Sequence, residues 1–189
     1  MPQVSVRDKL VETAEEVFRR RGFNGASVQD ITSAAGVPKG SFYSHFDSKQ
    51  AMAAEIMARY ARATDVSDLV GDGPALPRLR AHFTAQAART QATGSEFGCL
   101  LGTFAADVPT TGDQVRAAVR DGLDRWTDAV AATISSGQDS GEITSLQPAG
   151  QLAAFLIDAF EGGALRAKVS GDLAAVAGHL DIAMAALTA

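Results

Sequence analysis

SVQDITSAAGVPKGSFYSHFDSK, residues 27–49, reads as two short helices joined by a tight glycine turn. Ser27 with Asp30 three residues later has the form of a capping box, which predicts a helix from Ser27 to Ala35 that Gly36 stops. Pro38 suits the first turn of a second helix, because its missing N–H would be unpaired there anyway. That helix is predicted to continue through Phe46. Ile31 and Ala34 are predicted to face inward on the first helix, and Phe42 and Phe46, four apart, on the second. The small run Ala34-Ala35-Gly36 lets the two helices cross closely, where larger side chains would hold them apart. These are the requirements of a helix-turn-helix.

The outward face of the second helix carries Lys39, Gly40, Ser41, Tyr43, Ser44 and His45, with Lys49 just beyond. These are short or hydrogen-bonding groups. Gly40 and Ser41 near the helix start permit close approach to base edges, and the free backbone amides there favour phosphate. Tyr43, His45 and Lys49 can donate to phosphate oxygens, which sets register without reading sequence.

Outward from this stretch the chain reads as helical throughout, with apolar residues recurring at three and four. Upstream, Val6, Leu10, Ala14, Val17 and Phe18 form one stripe of a first helix, capped by Ser5 and closed at Gly22 after Arg19-Arg20-Arg21. The three arginines suit the negative end of the helix dipole, a plainer use than DNA. Downstream, Asp47 or Ser48 caps a fourth helix bearing Met52, Ile56, Met57 and Tyr60. Gly71-Asp72-Gly73-Pro74 is a loop. Further helices are predicted over Pro77–Thr93, Cys99–Val108, a long segment through Val115, Trp126 and Ile134, Pro148–Val169 and Leu173–Leu187. The fold class expected is all-α, with about nine helices.

Gly22-Phe23, Ser27-Val28, Asp30-Ile31, Ala34 to Val37, Lys39 to Tyr43, His45-Phe46 and Ser48-Lys49 together resemble the head of the TetR family of bacterial regulators. The resemblance is strong over roughly residues 5–62; beyond it only the general plan agrees. Thr32 and Gln50 depart from the family's common Ala and Glu, at positions not expected to read bases. The resemblance implies a three-helix DNA-binding domain over 1–63, and a ligand-binding and dimerisation domain over 64–189. It implies a homodimer on double-stranded DNA with a pseudo-palindromic operator, contacted through Ser27, Lys39, Gly40, Ser41, Tyr43, Ser44, His45 and Lys49. It also implies a repressor released by a small-molecule effector, although an activator could use the same fold.

Charge and composition agree. Residues 1–62 hold nine Lys/Arg against seven Asp/Glu, and residues 63–189 hold eight against fifteen, so a head that tolerates polyanions precedes a body that repels them. At 46% hydrophobic and 21% charged, a buried core is expected and wholesale disorder is not. A single cysteine, Cys99, allows no intrachain disulfide. With no apparent export signal or membrane span, a cytoplasmic place is expected. No metal-ligand spacing, phosphate loop or Gly-x-Ser-x-Gly elbow occurs, so no enzyme activity, cofactor or metal is expected.

The last two helices are apolar on most sides, so they need both a core and a partner. Both are expected at the dimer surface: Leu173, Val176, Leu180, Met184 and Leu187 form one stripe of the final helix, thickened by Ala174, Ala175, Gly178, Ala185 and Ala186, and the preceding helix brings Phe155, Ala159 and Gly162-Gly163. Phe83, Phe97, Cys99, Leu100, Phe104, Trp126, Phe155 and Phe160 are the candidate walls of a mostly apolar effector pocket. Phe97-Gly98-Cys99-Leu100-Leu101-Gly102 resembles a segment in a branch of TetR regulators, some of which respond to electrophiles through a nearby cysteine. Cys99 is therefore either a thiol sensor or a small buried apolar residue.

Overall fold

A computed structural model describes residues 5–92, 94, 98–172 and 174–189, and every regular element among them is helical. In chain order these are α1 (Val6–Arg21), α2 (Val28–Ala34), α3 (Lys39–Tyr43), α4 (Lys49–Ala63), α5 (Ala75–Ala92), α6 (Leu100–Thr111), α7 (Asp113–Ser140), α8 (Ala149–Ser170) and α9 (Ala174–Ala185). A 3-10 turn spans Ser67–Leu69. The predicted ends Thr93 and Leu173 lie outside the described residues. Packing divides the chain into two units, Met1–Ala63 with Leu100–Gly122, and Thr64–Cys99 with Leu123–Ala189.

The first unit is built on α1. Ser5 caps it by accepting from the Asp8 N–H at 3.1 Å, and Leu10, Val11, Ala14 and Phe18 form its buried stripe. Val6, expected on that stripe, is exposed, and Val11 takes the inward place. The three arginines at the helix end serve the fold. Arg19 pairs with Glu15 and Arg20 with Glu16, one turn back, and Arg21 reaches Asp30 at 2.8 Å. Helix α6 joins this unit because Phe104 completes an aromatic trio. Its ring lies 5.3 Å from that of Phe18 and 6.1 Å from that of Phe23.

The second unit has its own core, formed by Leu79 and Phe83 of α5, Trp126, Val130 and Ile134 of α7, Leu156 and Phe160 of α8, and Val176 and Leu180 of α9. Helix α5 starts two residues before the predicted Pro77. The Glu142 carboxylate accepts from the Ala75 and Leu76 N–H groups at 2.5 and 3.0 Å, satisfying donors that a helix start otherwise leaves open. At Gly163 the backbones of α8 and α9 approach closely: a Cβ there would lie 2.6 Å from the Val176 Cα.

The expected dimer stripe on α9 needs correcting. Val176, Leu180, Met184 and Leu187 are buried in the chain's own core, and Leu173 lies outside the described residues. The large apolar groups facing out on these two helices are Ile182 on α9, 72% exposed, and Phe155, Leu165 and Val169 on α8, 50%, 65% and 90% exposed; of these Phe155 is the one expected there. No helix is long and apolar enough to cross a membrane among the described residues.

Candidate nucleic-acid interface

The helix-turn-helix is held by local chemistry. Ser27 Oγ accepts from the Asp30 N–H at 3.1 Å, while the Asp30 carboxylate accepts from the Ser27 N–H at 2.9 Å and its hydroxyl at 2.6 Å. The predicted capping box is therefore complete. These bonds, with Arg21 close by, hold the Asp30 carboxyl below its ordinary range. Ile31 on α2 and Ala35 at its C-terminal cap, one turn apart, are buried; Ala34, predicted inward, is rotated out to solvent. Thr32 is fully buried, and its hydroxyl is satisfied by the Val28 carbonyl at 3.0 Å. Gly36 takes φ +64°, a conformation other residues rarely adopt, and turns the chain toward α3.

Helix α3 is shorter than predicted. The N–H groups of His45 and Phe46 both reach the Phe42 carbonyl, at 3.0 and 2.9 Å, which tightens the last turn before Ser48 caps α4 through the Ala51 N–H. Phe42 and Phe46 are buried with rings 5.6 Å apart and fix one side of the segment. The other side is presented: Lys39, Gly40, Ser44 and His45 are exposed, Ser41 is half-buried, and Tyr43 is 57% exposed with its ring edge against Phe42. Among the described residues Lys39 has no ion-pair partner, and a Cβ at Gly40 would meet nothing within 4 Å. The Ser44 hydroxyl donates to the Gly40 carbonyl at 3.2 Å, leaving its oxygen able to accept.

Lys49 departs from the expectation of an outward phosphate contact. Its ammonium donates to the Phe23 carbonyl at 2.8 Å and the Ala26 carbonyl at 2.7 Å, and sits 4.0 Å from the Phe23 ring centroid. Two of its three donors are thus spent on the α1–α2 loop, where orphan carbonyls need them. Burial lowers its pKa, opposed by the nearby Asp107 carboxylate. Asp107 is itself a residue that sequence reading missed. From α6 it accepts from the Phe23 N–H at 2.7 Å, the Asn24 N–H at 3.3 Å and the Asn24 side-chain amide at 3.0 Å. A partner 84 residues away leaves no periodic signal in the sequence.

The candidate pocket residues separate. Phe83, Trp126 and Phe160 come together in the second unit, with ring centroids 5.7 to 6.1 Å apart. Cys99 is buried in the same unit and hydrogen-bonded to Glu161, whose carboxyl is pushed up by burial. Leu100 and Phe104 instead belong to the core of the first unit, because α6 packs there. Phe155 is half-exposed, and Phe97 lies outside the described residues. An open groove of about 360 Å³ runs between α5 and α9, lined by Phe83, Thr84, Ala87, Val176 and Leu180 among others. No group of side chains able to hold a metal occurs among the described residues.

Residues 10–56 match the family model described as bacterial regulatory proteins, tetR family, and residues 75–182 match the Tetracyclin repressor-like C-terminal domain. The chain belongs to the TetR family. Its TetR-family relatives include the HTH-type transcriptional repressor DhaR of Mycobacterium sp. strain GP1, 35% identical over 89% of this chain and 85% of that protein. The solved structure of a TetR-family regulator from Agrobacterium tumefaciens has the same fold, with a TM-score of 0.88 at 22% identity over 97% of this chain and 98% of that one. Escherichia coli NemR in its reduced form aligns at a TM-score of 0.82 and 25% identity over 95% of each chain. As a TetR-family member the chain is a DNA-binding transcriptional regulator and not an enzyme.

Proposed function

We propose that this TetR-family chain is a cytoplasmic repressor whose residues 1–63 bind a pseudo-palindromic operator. Residues 64–189 then bind a small, mostly apolar effector and form a homodimer. The observation that carries the DNA reading is the presented face of α3. Lys39, Gly40, Ser41, Tyr43, Ser44 and His45 stand opposite the anchors Phe42 and Phe46. Ser27 at the exposed start of α2 adds a second contact point. Two such heads in a two-fold dimer would enter successive major grooves about 34–36 Å apart.

The outward apolar residues of α8 and α9, Phe155, Leu165, Val169 and Ile182, support a dimer face there, since large exposed apolar groups at helical spacing are uncommon on a monomer. Charging Leu165 and Ile182 together is expected to give monomers in sedimentation; an unchanged dimer would place the interface elsewhere. The effector walls are drawn from Phe83, Trp126 and Phe160. An effector releases DNA only by binding the released state more tightly than the DNA-bound one. A thiol-sensing alternative runs through Cys99 in the same unit. If Cys99→Ser retains full release by the natural inducer, that alternative fails.

The deciding experiment is fluorescence anisotropy on DNA from upstream of the chain's own gene, with salt titrated. Nanomolar binding with a steep salt dependence, weakened by Ser41→Ala and Tyr43→Ala, supports the operator reading. Binding no tighter than to random DNA, with no site emerging from a genome-wide selection, refutes it.

A further inference from the structure

The core of the second unit contains a polar pair that packing alone does not require. His82 on α5 has no solvent exposure, and its ring lies 5.3 Å from that of Phe83 and 6.0 Å from that of Trp126. Phe160 closes the group, 5.9 Å from Trp126. The Trp126 Nε1–H donates to His82 Nε2 at 2.8 Å. An indole nitrogen can only donate, so the imidazole nitrogen facing it is the acceptor, and a neutral ring carries its proton on the other nitrogen. Burial lowers the His82 pKa to about 4, with Arg89 acting in the same direction and Asp68 and Asp65 opposing, so the ring is neutral at pH 7.

The remaining Nδ1–H is buried and has no hydrogen-bond partner. One ring nitrogen is thus satisfied by Trp126, while the other is a buried donor whose lack of a partner costs free energy. Phe83 also lines the open groove between α5 and α9, so the cluster reaches accessible apolar space through that ring, with His82, Trp126 and Phe160 buried behind it.

We propose that His82 is the polar anchor of the effector site: its Nδ1–H donates to a carbonyl or ether oxygen of an uncharged, otherwise apolar molecule packed against Phe83, Trp126 and Phe160. This rests on the reading of the second unit as effector-binding. The molecule is uncharged because the neutral imidazole offers no opposite charge to compensate one brought into the core. It carries an acceptor because the free group is a donor.

Trp126 is the chain's single tryptophan, so its fluorescence reports this place. The full-length protein is titrated with cyclohexanone and with methylenecyclohexane, which has a similar shape and no oxygen. Cyclohexanone is expected to bind about tenfold more tightly. That preference disappears in His82→Leu and returns in part in His82→Asn, which restores a side-chain N–H. In nitrogen NMR of the unmutated protein, cyclohexanone shifts the His82 Nδ1 resonance and methylenecyclohexane does not, a readout that survives any folding failure of the variants. Equal binding of the two probes, or a preference that persists in His82→Leu, overturns the anchor and leaves the pocket standing. Silence of Trp126 toward both probes at millimolar concentration removes the pocket at this place and the anchor with it.

Discussion

Replacing Asp107 by Ala should unfasten α6 from the α1–α2 loop. The carboxylate accepts three hydrogen bonds there, the shortest from the Phe23 N–H at 2.7 Å. A hydrogen bond to a charged acceptor contributes about 1.5–3 kcal/mol, and the part-buried Phe23 amide would be left unpaired. The two Asn24 bonds are more exposed and one is long at 3.3 Å, so they add about 1 kcal/mol together. Alanine recovers a few tenths, roughly, in helix propensity. The net is a loss of about 3 kcal/mol, which for a chain of this length lowers Tm by about 6–12 °C. Calorimetry at fixed protein concentration reads this without confusion from dimer mass action. Asp107→Ala and Asn24→Ala should also be non-additive, because both act on one loop. A Tm within about 1 °C of the parent, or strictly additive losses, would refute the clamp.

Gly163→Ala puts a methyl group against the backbone of Val176, which cannot rotate aside, so a loss of about 1–3 kcal/mol is expected despite the better helix former. An unchanged urea midpoint would contradict that close approach. Lys49→Met keeps the stem but frees the Phe23 and Ala26 carbonyls, and should destabilise by about 1–3 kcal/mol while leaving the salt slope of DNA binding intact. A slope reduced by about one, with stability unchanged, would return Lys49 to the phosphate-contacting set. His82 gives a pH signature. Its pKa is lowered to about 4 in the fold from an ordinary 6.5, so the unfolded chain takes up the proton first as pH falls. The stability from keeping it neutral is full above pH 6.5 and is lost toward pH 4, by about 3 kcal/mol. His82→Phe should flatten that part of the pH–stability curve; an identical slope in both proteins would be the wrong outcome.

What could be read from the sequence was local. The Ser27–Asp30 cap, the Gly36 turn and the Phe42–Phe46 pair sit within one stretch of chain, so spacing alone places them. Periodicity on α9 was legible too, but it could not say which apolar face meets the chain's own core. Val176 and Leu180 do, and Ile182 faces out. Ala34 and Ala35 show the same limit on a smaller scale, since adjacent alanines offer no contrast from which to read a helix face. Long-range partners were invisible. Asp107 reaching Phe23, Glu142 capping α5 and Trp126 donating to His82 join positions 44 to 84 residues apart, and nothing in local pattern encodes such pairs. The candidate pocket residues divide between the two units for that reason. Leu100 and Phe104 share the aromatic, apolar character of Phe83 and Phe160 but pack in the other unit.

Gly40→Leu tests the central claim most directly. The position is exposed and a Cβ there has open space, so the fold should tolerate the side chain and could gain up to about 1 kcal/mol in helix propensity. The same side chain would stand where α3 must approach base edges. Melting should therefore be unchanged or slightly raised, while anisotropy on the operator falls to the level of random DNA, a loss of about a thousandfold or more. Operator binding by a folded Gly40→Leu protein that matches the parent would mean that this face of α3 does not read DNA.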